Sequence, residues 1–281
     1  MLKKRSEIWR EEYHNRRYLE HLSDEELSQR LSDVLTNLFV LYENGKIGFR
    51  HIEKGGGYWI RLFTHIQEEY SLRGKAIPPD AFRKAHLPKA TYPEKPKSYE
   101  AVEGKSFDDK KYLVKYGKIK FLGPLYENGT VRIFPASSYK DPSLNPAIQD
   151  DELTLTTFGL PSEFTMEVID GKTGEKKGPI KPIGNIKFAA TCPTDYYVYC
   201  LSYVYEHRLF DDFEADGCLI IINPEEFLGR MSAEIKKILP DWINFSSGIE
   251  YIDPLRRPVK EELIIFFSKH FRYAYQQEFR F

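Results

Sequence analysis

From Ser23 onward the apolar residues keep helical spacing. Ser23-Asp24-Glu25-Glu26 has the capping-box pattern, and Leu27, Leu31, Val34, Leu35, Leu38 and Leu41 follow it along one helix face. The pattern predicts a helix that stops at Asn44-Gly45. A second helix is predicted from about Tyr58 to Tyr70, behind Gly55-Gly56-Gly57. The glycine triplet reads as a flexible turn, because the lysine and hydroxyl of a phosphate loop are missing. Pro78, Pro79, Pro88, Pro93 and Pro96 then interrupt all periodicity, as in a linker or surface wrap. The expected division is a helical N-terminal region with a Pro-rich linker at residues 1–95, followed by an α+β domain at residues 96–281.

Past this boundary the pattern shortens to strands. Lys111 to Tyr116, Thr130 to Phe134, Tyr196 to Leu201, Cys218 to Ile222 and Ile249 to Ile252 have strand character. Phe164 to Ile169 and Ile186 to Thr191 flank Asp170-Gly171-Lys172-Thr173-Gly174 and predict a long hairpin. Pro224 opens a predicted helix to about Leu239, and Lys260 to His270 predicts another. The terminal run Tyr275 to Phe281 alternates, with Gln276, Glu278 and Arg280 on one face. Strands with few helices between them argue for a mixed or antiparallel sheet.

Composition narrows the classes. Hydrophobic residues make up 41% of the chain and aromatic residues 15%, so a large core is available and global disorder is disfavoured. A net charge of −1 leaves no global footprint for duplex DNA or an anionic membrane. No apolar run is long enough to span a bilayer. Met1-Leu2-Lys3-Lys4-Arg5 leads into a polar segment and not an apolar one, which argues against a secretory signal. Cys192, Cys200 and Cys218 match no zinc spacing, so reduced thiols and a cytoplasmic location are expected.

The histidines show no ligand spacing, so no metal site is expected and a metal-dependent nuclease is disfavoured. His207, Asp211 and Asp212 read as a solvated helix face. No Gly-x-Ser-x-Gly elbow is present, and Cys200 in an apolar strand reads as core. Three segments remain with chemical content: Lys115-Tyr116, the strand and hydroxyl-rich loop from Val131 to Asn145, and Cys200-Leu201-Ser202. The plain alternative for the loop is an Asx-type turn. Lys110, Lys111, Lys115, Lys118 and Lys120 interleave with Tyr112, Tyr116 and Phe121, which suits single-stranded nucleic acid or a solvated strand face.

Taken in order, Lys-Tyr on a strand, a Gly-x-Val-Arg strand leading to an Asp-Pro loop, Cys-Leu-Ser, and a closing Glu-x-Arg strand resemble a large bacterial family of uncharacterised domains. That family is itself similar to the ADP-ribosyltransferase fold, and the resemblance covers about residues 107–281. It implies a split, curved sheet with NAD, as substrate, in the cleft. The late-strand motif would place Glu278 as the carboxylate beside the nicotinamide ribose and Gln276 as the residue orienting acceptor or sugar. Ser202 takes the middle position, and Lys115 or Tyr116 the first, where the family fold has His or Arg. Arg132 or Lys115 would face the pyrophosphate, and the loop with Ser137, Tyr139 and Asp141 would hold the ribose with Ser202.

The resemblance therefore implies an enzyme that transfers ADP-ribose from NAD to a protein or nucleic acid, as a toxin or an anti-phage effector. Its N-terminal helices would meet the target or an inhibitor partner. The alternative is a non-catalytic interaction module that keeps the fold without NAD, and the missing first-strand His or Arg points that way. The plain alternative for Glu278 is a surface carboxylate paired with Arg280 or a lysine.

Overall fold

A computed structural model describes residues 3–42, 45–89, 112–256 and 263–281. The N-terminal part forms α1 (Arg5–Asn15), α2 (Asp24–Leu38), a small ribbon of β1 (Phe39–Leu41) and β2 (Ile47–Phe49), then α3 (Gly56–Leu72) and α4 (Asp80–Lys84). The capping box is present: Glu26 N–H donates to Ser23 Oγ at 3.2 Å and Ser23 N–H to Glu26 Oε2 at 2.7 Å. Leu27, Leu31, Val34, Leu35 and Leu38 are fully buried against Trp59, Leu62 and Ile66 of α3.

The helix ends earlier than its apolar pattern. Phe39-Val40-Leu41, an aromatic and β-branched run, pairs with Ile47–Phe49 instead of continuing α2. Gly45, with φ 76°, belongs to the connection between those strands, and Asn44 lies outside the described residues. The glycine triplet is a fixed turn. Gly55 adopts φ 83°, and a Cβ on Gly56 would stand 2.1 Å from the Arg50 carbonyl oxygen.

The rest of the chain runs through β3 (Leu113–Gly117), α5 (Ile119–Asn128), β4 (Phe134–Pro135), β5 (Thr154–Gly159), β6 (Met166–Ile169), β7 (Lys176–Ile180), β8 (Ile186–Thr191), β9 (Tyr197–Val198) and β10 (Cys200–Ser202). It continues through α6 (His207–Asp212), β11 (Gly217–Ile221), α7 (Pro224–Ile238), β12 (Ser247–Gly248), β13 (Glu250–Ile252), β14 (Ser268–His270) and β15 (Glu278–Arg280). The main sheet has the order β11-β3-β10-β15-β12, antiparallel throughout. On one face Leu113, Leu201 and Phe279 pack with Met231 of α7. On the other, Val114 and Tyr116 pack with Leu209, Phe210 and Tyr275. The α+β class with antiparallel sheets is as expected, and no described helix is long and apolar enough to cross a membrane.

Several elements differ from their sequence pattern. Of Thr130–Phe134 only Phe134 enters a strand, and the unpredicted helix α5 precedes it, ended by Gly129 at φ 66°. The Asp170–Gly174 turn does close a hairpin, but between β6 and β7. Ile186–Thr191 pairs with β5 instead. Tyr196–Leu201 divides at Tyr199, whose backbone exchanges hydrogen bonds with Phe281. The predicted Lys260–His270 helix is absent from its described part. Ile265–Phe267 forms one 3-10 turn, and Ser268–His270 is a strand parallel to β13. Residues 260–262 lie outside the described residues. The face of His207, Asp211 and Asp212 is not solvated as a whole. His207 and Asp212 are buried, and Arg208 and His86 both hydrogen-bond Asp212.

The terminal alternation also fails in part. Phe271–Gln276 is a 3-10 turn, Gln277 has φ 42°, and only Glu278–Arg280 is strand. The cause is a tertiary contact. Asn37 of α2, fully buried, donates to the carbonyls of Phe271 and Arg272 and accepts from Tyr275 N–H. That side chain supplies the partners a strand would have supplied.

The expected boundary near residue 95 lies outside the described residues, and the chain on either side of it shares one core. Leu31, Trp59 and Leu62 cluster with Leu255 and Phe271. Arg30 grips Asp253 through two bonds of 2.9 and 2.7 Å, both residues buried. Burial alone would raise the Asp253 carboxyl, but Arg30 overcomes it and holds it below the usual range.

Replacing Asp253 with Asn leaves the Arg30 cation buried and unpaired. The expected loss is about 3–5 kcal/mol by urea denaturation. Lys3→Ala, which breaks an exposed pair with Glu11, should stay within about 0.5 kcal/mol. A small effect at Asp253 would mean that the pair does not join the two parts.

Candidate active site

Glu278 sits on an interior strand. Ser202 is paired with Glu278 on one side and with Val114 on the other, so the three side chains form a row across one face of the sheet. Cys200 and Arg280 form the next row. The backbone of β15 is fixed from β13 and its approach, where Glu278 N–H donates to Tyr251 Oη at 2.7 Å and Ile249 N–H to the Glu278 carbonyl at 2.9 Å. A cavity of about 200 Å³ opens over this row, lined by Lys115, Tyr116, Tyr139, Glu152, Cys200, Ser202, Lys269, Gln276 and Glu278 among others.

The Glu278 carboxylate is not a surface group. It belongs to a closed ring of buried ion pairs. Arg280 Nε meets Glu278 Oε1 at 2.5 Å, Lys269 Nζ meets Glu278 Oε2 at 3.1 Å, and both cations also reach Glu152, at 2.6 and 3.3 Å. All four residues are at most 5% exposed. Burial pushes the Glu278 carboxyl up, but Arg280 and Lys269 together hold it well below the usual carboxylate range. Burial would likewise lower Lys269, and Glu152 and Glu278 raise it instead. The ring thus keeps an ionised carboxylate on the wall of the cavity among buried groups, where electrostatic effects are strong.

Six of the residues singled out by sequence meet at this cavity: Lys115, Tyr116, Tyr139, Ser202, Gln276 and Glu278. Their roles in the structure differ. Tyr116 Oη donates to the Val204 carbonyl and accepts from Glu206 N–H, both at 2.9 Å, which fixes the segment after β10. Ser202 Oγ donates to the Gln276 carbonyl at 2.7 Å and accepts from Val204 N–H at 3.2 Å, which ties the 3-10 turn to β10. The Gln276 amide donates to the Ala147 carbonyl at 2.7 Å. Lys115 Nζ donates to the Cys200 carbonyl at 2.8 Å, and Tyr139 Oη lies 4.0 Å from Cys200 Sγ. Burial pushes the Cys200 thiol up to about 12, so it is protonated at neutral pH.

Three others are elsewhere. Arg132 is exposed, with its guanidinium over the Phe134 ring at 4.5 Å. Ser137 is exposed and bonded to Asp195 through side chain and backbone. Asp141 is exposed and caps Ser143 N–H at 2.9 Å, the Asx turn that was the plain alternative. The hydroxyl-rich loop curls on itself and, of its hydroxyls, sends that of Tyr139 to the cavity. The lysine and aromatic run is not one face either: Tyr112 and Tyr116 are buried, Lys118, Lys120 and Phe121 belong to α5 and its N-cap, and Lys110 and Lys111 lie outside the described residues.

Glu152 and Lys269 carry no motif and were not singled out. Lys269 lay inside a predicted helix, and Glu152 ends a run of three acids that reads as loop. A second cavity of about 640 Å³ shares Glu152 and Lys269 with the first and adds Asp33, Asp150 and Arg272. Burial pushes Asp33 and Asp150 each up to about 6.

Glu278→Gln should destabilise the fold by about 3–5 kcal/mol, because it leaves two buried cations with one carboxylate in the ring. The sign with pH is set by the lowered carboxyl. The contribution of Glu278 is complete above the ordinary Glu value of about 4.3 and is lost as pH falls toward its folded value. Urea midpoints from pH 7 to pH 3 should therefore fall less steeply for Glu278→Gln than for wild type, and parallel slopes would contradict the ring. Asp33 has the opposite sign. Its stability cost grows as pH rises from about 3.9 toward 6, so Asp33→Asn should flatten that limb.

The chain matches no family model, no curated protein and no solved structure, so the geometry itself carries the functional reading.

Proposed function

We propose that the chain is an ADP-ribosyltransferase-like enzyme that takes NAD as substrate and transfers ADP-ribose to a protein or nucleic acid. The observation that carries this reading is the convergence of Glu278, Ser202, Lys115 and Tyr116 on one cavity. Cleavage of the nicotinamide–ribose bond builds positive charge on the sugar, as in glycoside cleavage. An ionised carboxylate held rigidly at that sugar stabilises the charge as it forms. Glu278 has this state and this rigidity from the ion-pair ring.

The cavity is smaller than the roughly 300–1,000 Å³ usual for whole ligands, at about 200 Å³. It suits the nicotinamide and its ribose, with the rest of the dinucleotide lying outside. Lys115 lines the part of the cavity that would hold the nicotinamide ribose, and Arg132 is not among the lining residues.

A second reading has its own support. Both oxygens of Glu278 are occupied by ion pairs, and Ser202 and Tyr116 are committed to backbone contacts. These favour a non-catalytic interaction module whose polar row stabilises the sheet.

Release of nicotinamide from NAD, with label transfer in a cell lysate, separates the two. The enzyme reading expects both from wild type, and a drop of at least about 10²-fold in Glu278→Gln at matched folded fraction. Folded wild type that neither releases nicotinamide nor transfers label leaves the interaction module as the function.

A further inference from the structure

Two lysines line the small cavity, and their partners differ. Lys269 touches three carboxylates, those of Asp150, Glu152 and Glu278. Lys115, among the described residues, makes no ion pair. Its nitrogen has one hydrogen bond, to the Cys200 carbonyl at 2.8 Å, and lies 4.4 Å from the centre of the Tyr199 ring. Sheet topology places it there. β3 pairs with β11 at five successive positions but with β10 only at Ser202↔Val114. Lys115 lies where this pairing is sparse, and its nitrogen meets the Cys200 carbonyl of the neighbouring strand beside the cavity.

We propose that Lys115 is a nucleophilic amine that captures a small polyhydroxy aldehyde in this cavity as an imine. This goes beyond the NAD reading and does not depend on it. Desolvation favours the neutral amine, and burial does push Lys115 down, against the opposing pull of Cys200 and Glu278. A neutral amine that donates one N–H to the Cys200 carbonyl keeps its lone pair. That pair adds to the aldehyde carbon while the carbonyl pair moves to oxygen. A proton passes from nitrogen to that oxygen, a second proton comes to it from the Tyr139 hydroxyl, and water leaves with the C–O bonding electrons, giving an iminium that returns its N–H proton to the Tyr139 oxygen to become the imine.

The cavity holds groups suited to each stage. The Tyr139 hydroxyl, kept protonated by Cys200 and by burial, can donate to the departing oxygen. The ionised Glu278 offsets the iminium charge. Its negative charge also disfavours ligands that carry a carboxylate, which points to a neutral sugar-like aldehyde. The volume of about 200 Å³ restricts the ligand to a few carbons.

Reductive trapping tests this on the folded full chain. Glyceraldehyde with cyanoborohydride at neutral pH reduces any iminium to a stable secondary amine, which peptide mass mapping locates. The expected result is that Lys115 carries the adduct before Lys176, an exposed lysine. Lys115→Arg should lose that adduct and keep those on the surface. A merely structural, buried Lys115 would be among the slowest to react. That outcome in wild-type protein overturns the proposal without relying on any variant, whether or not NAD is consumed.

Discussion

The ring of Glu278, Arg280, Glu152 and Lys269 governs the centre of this protein. Each ion is buried, so each would be costly alone, and each has two opposite charges within reach. The geometry must be kept because loss of one member leaves its neighbours without compensation. It draws together the loop before β5, strand β14 and strand β15, which are otherwise joined by few backbone bonds. It also explains why Ser268–His270 is extended: the strand carries Lys269 to the three carboxylates.

The N-terminal helices act on the same centre from outside. Asn37 shapes the 3-10 turn before Glu278. Arg208, stacked 3.7 Å from the centre of the Tyr275 ring, donates to the carbonyls of Thr36 and His86 and thereby joins α6 to α2 and the segment after α4. Arg30 and Asp253 form a third tie. These contacts make the helical region a structural support for the candidate site.

The consequence for chemistry is a division of labour inside a small space. Glu278 and Lys269 are locked in their charged forms by each other and by the ring. Lys115, Tyr139 and Cys200 face the same cavity without that compensation, and burial pushes each toward its neutral form. A cavity with fixed charge on one wall and neutral, proton-bearing groups on another is suited to reactions in which charge appears on the ligand. Ser202 and Tyr116, polar residues that line the same cavity, hold the backbone in place.

What the sequence determined by itself was local. The Ser23–Glu26 box and the leucine row of α2, the opening of α7 at Pro224, and the strand character of β3, β11 and β13 all follow from contacts within a few residues. The polar row of the terminal segment was legible too, because β15 alternates as its sequence does. Tertiary structure decided everything that depended on distant partners. Asn37 overrode the alternation of Tyr275 to Gln277, and cross-strand pairing sent Ile186–Thr191 to β5. Lys269 became extended because the two buried carboxylates of Glu152 and Glu278 required a cation, and Glu152 entered the site from a loop without any motif. Ion pairs and hydrogen bonds between residues far apart in the chain leave no periodicity behind, so only the folded arrangement could distinguish a surface carboxylate from the buried one at Glu278.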